Sequence, residues 1–277
     1  MTPLLRLAAR IPLPILHCVG VALGWIVYGF SARFRKFLAA NLVQAGYSAP
    51  TILRQSVGET GKAILELPAI WLRGHADAAA LVTAVEGWEL IDEAMTAGKG
   101  LILLTPHLGC WEVSAQYFSR YRPLTVLYSA PKVRGLEPLM REGRDRNMMS
   151  SVPADLSGVR ALYRALKRGE AIGMLPDQVP AGGEGEWSEF FARPAYTMTL
   201  ATRMAQSSGA PVLIVYAERL PRGRGFHLHF EPLAPALPGE RPARRMNRGL
   251  ETLIRRCPSQ YLWAYNRYKV PAGVNPP

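Results

Sequence analysis

The chain has 277 residues, 49% of them hydrophobic and 19% charged, a balance that argues against disorder and allows one large domain or two small ones. Lys and Arg outnumber Asp and Glu by 33 to 21, and the net charge of +12 favours an anionic partner: nucleic acid, an anionic lipid surface or an acidic protein. The 3 cysteines, Cys18, Cys110 and Cys257, are far apart and lack CxxC spacing, which argues against a disulfide framework or a zinc knuckle and for a reducing compartment.

The first informative segment is apolar. From Ile11 to Phe30 there is no Lys, Arg, Asp or Glu, and His17 is the one strongly polar side chain. Arg6 and Arg10 precede this segment; Arg33, Arg35 and Lys36 follow it. Its roughly 20 residues just suffice to span a bilayer, but Pro12, Pro14, Gly20, Gly24 and Gly29 interrupt it. Three readings stay open here: a membrane-embedded or interfacial anchor, a buried core helix, and a secretory signal. The segment runs into Arg33-Phe34-Arg35-Lys36 instead of a small-residue cleavage site, which counts against the signal. The same basic cluster favours a catalytic portion on the cytoplasmic side. We therefore expect residues 1–40 to form a membrane-anchoring or interfacial helical segment and residues 41–277 to form one domain.

Helical periodicity appears next in Ser56–Leu72, and again in Trp88–Ala97, Gly158–Lys167, Thr197–Ser207 and Arg244–Arg256. Between these lie short apolar, β-favouring runs: Leu101–Leu104, Leu124–Tyr128, Ala171–Leu175, Val212–Ala217 and Phe226–Phe230. The alternation predicts an α/β fold, a central mostly parallel or mixed sheet flanked by helices. Reactive groups in such folds sit in loops just past strand C-termini. The loops after Leu104 and after Leu175 therefore become the places to look.

After Leu104 the sequence reads Thr105-Pro-His-Leu-Gly-Cys-Trp-Glu112. This predicts a stiff turn holding His107, then a helix start with Glu112 about one turn in. With His107 just outside the helix, its ring can fold back toward Glu112, which would fix the tautomer and balance the imidazolium. The spacing alone says little: 5 His and 21 acids among 277 residues give roughly 0.4 such pairs by chance. Its position after a buried strand is what raises it above a structural histidine capping a turn.

Further motifs extend the pattern. These are Gly143-Arg-Asp-Arg146, Leu166-Lys-Arg-Gly-Glu170, Leu175-Pro-Asp-Gln178, Phe190-Phe-Ala-Arg-Pro-Ala-Tyr-Thr197 and Pro258-Ser-Gln-Tyr-Leu-Trp263. In order and spacing, with the His107 segment, the chain from about residue 60 onward resembles the bacterial late acyltransferases of lipid A biosynthesis, which carry a His-x4-acid motif. The resemblance departs at Ser259, where the family usually has Glu, and in the acidic Glu184–Glu189 stretch; both touch the identity of the acceptor. It implies transfer of a fatty acyl group from an acyl carrier protein or CoA thioester to a lipid hydroxyl, most simply on a lipid A precursor. His107 would be the general base and Glu112 its partner, with no covalent intermediate. Arg144 and Arg146 would bind phosphate or help an oxyanion, and Asp177, past another buried strand, would face the substrate. The bland alternatives are a solvated basic face for the arginines and a turn cap for Asp177.

No cofactor and no metal is expected. His227 and His229 form an H-x-H on a strand-like run, but no third ligand stands nearby in sequence. The arginines of the Arg241–Arg256 segment suggest contact with anionic lipid or an acidic carrier protein, or else an ordinary solvated face. Nucleic acid is not expected, for no binding motif is present and the apolar N-terminus would go unexplained. The competing reading is a lipid-binding protein that keeps the fold without catalysis, or an enzyme acylating another glycolipid or a lysophospholipid. The resemblance implies a place at the bacterial inner membrane, facing the cytoplasm.

Overall fold

The computed structural model describes residues 11–129, 135 and 137–277. The first ten residues of the expected N-terminal segment, with Arg6 and Arg10, lie outside that range. The apolar run forms helix α1 (Leu13–Phe30), followed by α2 (Ala32–Gln44) and α3 (Pro50–Leu72). Proline suits the first turn of α1, where a backbone N–H has no partner to lose. Ser31 caps α2 by accepting from Phe34 N at 3.2 Å. Arg35 donates to the Tyr28 and Gly29 carbonyls at 2.6 and 2.7 Å, so one residue of the basic cluster caps the C-terminus of α1. The expected boundary at residue 40 falls inside α2.

Two of the glycines that interrupt α1 as a membrane span, Gly20 and Gly24, form its contact face. A Cβ on Gly61 of α3 would stand 1.9 Å from the Gly20 carbonyl, and one on Gly24 would stand 2.2 Å from the Val57 carbonyl. Only hydrogen fits there, so α1 and α3 pack backbone against backbone. His17, buried on the same side, reaches Glu66 of α3 at 2.6 Å. The opposite side of α1 exposes Ile15, Val19, Trp25, Ile26 and Phe30.

Beyond α4 (His75–Ala79) the chain alternates: β1 (Val82–Glu86), α5 (Trp88–Thr96), β2 (Leu101–Leu104), α6 (Trp111–Phe118), β3 (Leu124–Tyr128), α7 (Glu137–Arg144), β4 (Met149–Pro153), α8 (Leu156–Lys167) and β5 (Ala171–Met174). A hairpin follows, β6 (Gly185–Phe190) and β7 (Arg193–Met198), then α9 (Leu200–Ser208), β8 (Val212–Arg219), β9 (Phe226–Pro232) and α10 (Pro242–Ile254). Seven strands form one sheet in the order β1-β9-β8-β2-β5-β3-β4, parallel throughout except for the antiparallel β8–β9 pair. Every residue of β2 and of β5 is buried, as a parallel strand covered on both faces requires. One apolar cluster, with Leu104, Met174, Phe190 and Trp263, fills one side; another, with Leu103, Val113, Val215 and Phe230, fills the other.

The expected mixed sheet flanked by helices is the observed one. β1, β4 and the β6–β7 hairpin were not apparent, because their residues are half exposed and their polar positions break the apolar run. Thr197, expected to open a helix, instead lies near the end of β7.

Candidate active site

The geometry follows from strand register. β2 and β5 are neighbours, with Leu104 opposite Met174. Three residues further along each strand stand His107 and Asp177, so the two loops meet at one sheet edge. His107 N donates to Asp177 Oδ2 at 3.0 Å, and the His107 Nδ1–Asp177 Oδ1 distance is 2.9 Å. The carboxylate therefore holds both the backbone and the ring of the histidine. The loop is tied on its other sides as well: Leu262 N donates to His107 O at 3.0 Å, Gly109 N to Gln260 O at 3.1 Å and Cys110 N to Ala217 O at 2.9 Å. The Trp111 ring lies against the imidazole at 4.9 Å.

Asp177 is almost wholly buried. Burial pushes its carboxyl up, but the charge and hydrogen bonds of His107 outweigh this and hold it below the ordinary aspartate value. An ionised Asp177 accepts a hydrogen bond from Nδ1–H, which makes Nε2 the unprotonated, basic nitrogen. Gln178 stands 3.1 Å from that Nε2 and donates its amide N–H to it.

Glu112 stands elsewhere than expected. Helix α6 begins at Trp111, so Glu112 lies in its first turn, where the helix dipole favours an anion. Its carboxylate receives Arg144 through Nε at 3.0 Å and through Nη2, and Trp71 Nε1 at 2.9 Å. Burial pushes this carboxyl up, and Arg144 more than compensates, so Glu112 also sits below its ordinary value. No hydrogen bond joins it to His107 among the described residues. The imidazole is oriented by Asp177, because the five-residue spacing within one loop turns Glu112 inward while the neighbouring strand delivers Asp177 to Nδ1.

Arg144 is itself delivered by a close approach. A Cβ on Gly143 would stand 2.5 Å from Trp71 Cβ, so glycine lets α7 settle on α3 with Arg144 over Glu112. An apolar cavity of ≈ 40 Å³ lies beneath, lined by Leu103, Trp111, Val126, Met174 and Leu175, with Glu112 and Arg144 also in its wall.

The family model of bacterial lipid A biosynthesis acyltransferases matches residues 2–270. The chain belongs to this family. It is similar to the lipid A biosynthesis lauroyltransferase of Escherichia coli (strain K12), 26% identical over 98% of this chain and 90% of the relative. Similarity to the palmitoleoyltransferase of the same organism is 24%, over 97% and 90%. A lipid A biosynthesis acyltransferase of Haemophilus influenzae is 26% identical over 94% and 86%. The protein is thus an O-acyltransferase that acts in acyl transfer to lipid A.

In this acyltransferase the other residues singled out from sequence fall into place differently. Arg146 is bound to the end of α3 and to Gln116: its Nη2 donates to Ile70 O at 2.9 Å, its Nη1 to Arg73 O, and its Nε to Gln116 at 3.1 Å. It closes the C-terminus of α3, with each of its three nitrogens engaged by the fold. Arg144 is likewise committed to Glu112. On α10 and beside it the arginines are matched by acids: Arg241 by Glu186, Arg244 by Glu251, Arg248 by Glu240 and Arg256 by Glu231. The acidic Glu184–Glu189 stretch thus supplies two partners, Glu186 to Arg241 and Glu189 to Arg244 at 4.0 Å, and the basic face expected of α10 is largely neutralised. Gln178 and Trp71 are the neighbours that sequence reasoning missed. Gln178 stood inside a quoted motif, but its proximity to His107 depends on the β2–β5 register.

Proposed function

We propose that this acyltransferase moves a fatty acyl group from a thioester, on acyl carrier protein or CoA, to a hydroxyl of a lipid A precursor, with His107 as general base and Asp177 as the group that orients it. The observation that supports this most is the imidazole held by a buried carboxylate on Nδ1, with the Gln178 amide standing at Nε2. The acceptor hydroxyl displaces Gln178 from Nε2 and gives up its proton there as its oxygen attacks the thioester carbonyl. The C–S bond then breaks, and the imidazolium returns the proton to the thiolate. Gln178, released from Nε2, is placed to donate to the carbonyl oxygen as charge builds on it. Glu112 and Arg144 act one layer out, as a neutral buried pair that fixes the start of α6 and the wall of the cavity.

The test is a reconstituted assay with purified full-length protein and a lipid A precursor, run with acyl carrier protein and CoA thioesters of several chain lengths. Product ester formed from one donor class, with the lipids of a deletion strain lacking that acyl chain, is the expected result. Loss of no acyl chain on deletion, together with no turnover on either donor, would leave only lipid binding.

The membrane placement rests on α1. It is long and apolar enough to cross a bilayer by length and composition, yet its glycine face is engaged along α3 and its other face is apolar and exposed. A helix held along the domain surface suits an interfacial position, with Arg33 and Lys36 adding roughly 1 kcal/mol each at an anionic leaflet. The cytoplasmic face of the inner membrane is the surface we assign. The protein is expected to pellet with membranes, to be partly released by high salt and to be fully released by alkaline carbonate. Retention through carbonate, with release only by detergent, would instead make α1 a span. Full recovery in the soluble fraction at low salt would rule out both.

A further inference from the structure

Two histidines that play no part around His107 face each other near the far edge of the sheet. His227 and His229 alternate with Leu228 on β9, so both rings leave the same face, and their centroids lie 3.9 Å apart. The parallel neighbour β1 sets Glu86 beside His229, and the antiparallel neighbour β8 sets Glu218 beside His227. Glu86 divides its oxygens between the rings: Oε1 is 3.3 Å from His227 Nε2 and Oε2 is 3.1 Å from His229 Nδ1. Tyr216 stacks on the His229 ring at 4.5 Å and closes that side.

We propose that Glu86, His227 and His229 form a binding site for a divalent transition metal of the Zn²⁺ class, separate from the transfer chemistry. The donor set is the first reason. Two imidazoles and one carboxylate are ligands that Zn²⁺ takes, with a fourth position left open, whereas Mg²⁺ and Ca²⁺ prefer oxygen alone. The spacing is the second. Bonds of about 2.0–2.1 Å in a tetrahedron put adjacent donor atoms about 3.3 Å apart. One ligand atom from each of the three residues lies within 4.8 Å of the other two, and a different oxygen of Glu86 reaches each ring, Oε1 to His227 at 3.3 Å and Oε2 to His229 at 3.1 Å. Closing that separation to the tetrahedral edge asks for side-chain movement on the order of an ångström, which the exposed Glu86 side chain can supply.

The second layer supplies the third reason. His229 Nε2 is buried and has no hydrogen-bond partner among the described residues, on a side chain only 9% exposed. It stands 3.6 Å from Glu218 Oε2. Metal-bound imidazoles commonly give their other N–H to a carboxylate, and a shift of a few tenths of an ångström would complete that bond here. Glu86, 65% exposed, leaves the site open to solvent for entry. Because β1 joins the sheet only through β9, an ion shared by Glu86 and the two histidines would clasp the edge strand in place.

The experiment uses the full-length protein in detergent, without a polyhistidine tag, in a Cys18→Ser background because Cys18 is an exposed thiol. Zn²⁺ is titrated against a chromophoric chelator, and Co²⁺ serves as the spectroscopic probe. One tight Zn²⁺ per chain, visible Co²⁺ bands of tetrahedral intensity and a rise in Tm on adding Zn²⁺ are expected. His227→Ala should remove the site, and Glu86→Gln should weaken it by at least about tenfold. Glu86 is exposed enough that its variant keeps the test open should a histidine variant fail to fold. No ion retained against the chelator, or a site unchanged in both variants, would overturn the proposal. Acyl transfer should survive chelation; transfer lost on chelation and restored by Zn²⁺ would overturn the separation from the chemistry.

Discussion

Replacing His107 with alanine is expected to lower kcat/KM for acyl transfer by about 10³- to 10⁴-fold with the fold intact, the range a positioned general base supplies. Asp177→Asn should lose about 10²- to 10³-fold, because an amide can no longer hold the Nδ1–H tautomer or balance the imidazolium. Glu112→Gln separates two roles. If Glu112 partners Arg144 and not His107, its amide variant should lose stability, by about 3 kcal/mol for a broken buried pair. Its folded fraction should turn over far better than Asp177→Asn. The measurement is single-turnover transfer on folded variants, with thermal unfolding alongside. Near-normal turnover in His107→Ala or Asp177→Asn would sink the assignment. A Glu112→Gln loss equal to that of His107→Ala, in a protein of unchanged stability, would return the partner role to Glu112. Asp177, held below its ordinary value in the fold, contributes stability above the unfolded aspartate range and loses it as pH falls through the folded value.

Arg219→Leu is expected to destabilise the protein by about 3–5 kcal/mol, the cost of stranding a buried charge. Arg219 is fully buried at the end of β8, where its Nε and Nη2 meet the two oxygens of Glu66, each at 2.6 Å. Its remaining donors reach Glu59 at 2.7 Å and Gly109 O at 3.1 Å, and His17 meets Glu66 at 2.6 Å. One guanidinium thus joins α1, α3, β8 and the His107 loop. Burial pushes the Glu66 carboxyl up, but Arg219 outweighs it and brings the value from 4.5 down to about 2. Because the folded value is depressed, the stabilisation is complete above about pH 4.5 and disappears as pH falls toward about 2, an amount on the order of 3 kcal/mol. Thermal unfolding of the parent and Glu66→Gln should therefore differ widely at pH 7 and draw together as pH falls toward about 2. Glu66→Leu with Arg219→Met should recover at least about half of the single-variant loss, since an apolar pair needs no desolvation. A constant difference across the pH range would show that Glu66 acts through packing alone.

Some of this molecule can be read from residues taken in order. The buried strands at 101–104 and 171–174 announce themselves because a parallel strand covered on both faces must be apolar throughout. His107 is legible for the same reason, since it follows such a strand directly. The family resemblance was equally visible, carried by motifs whose order survives when most other residues change. The partner of His107 was not. Asp177 lies 70 residues away and meets the imidazole only because β2 pairs with β5 in the register Leu104 opposite Met174. Local spacing pointed to Glu112, and the long-range ion pair with Arg144 claimed that carboxylate. Similarly, Gly20 and Gly24 read as flaws in a membrane span until Gly61 stood against them. His227 and His229 lacked a third ligand until β1 brought Glu86 alongside. Sequence by itself determined which segments bury themselves and which loops carry chemistry, because burial and strand pattern are local properties of the chain. Which charged group meets which was decided by the tertiary structure alone, since pairing depends on strand order and register, and these are set by the packing of the whole sheet.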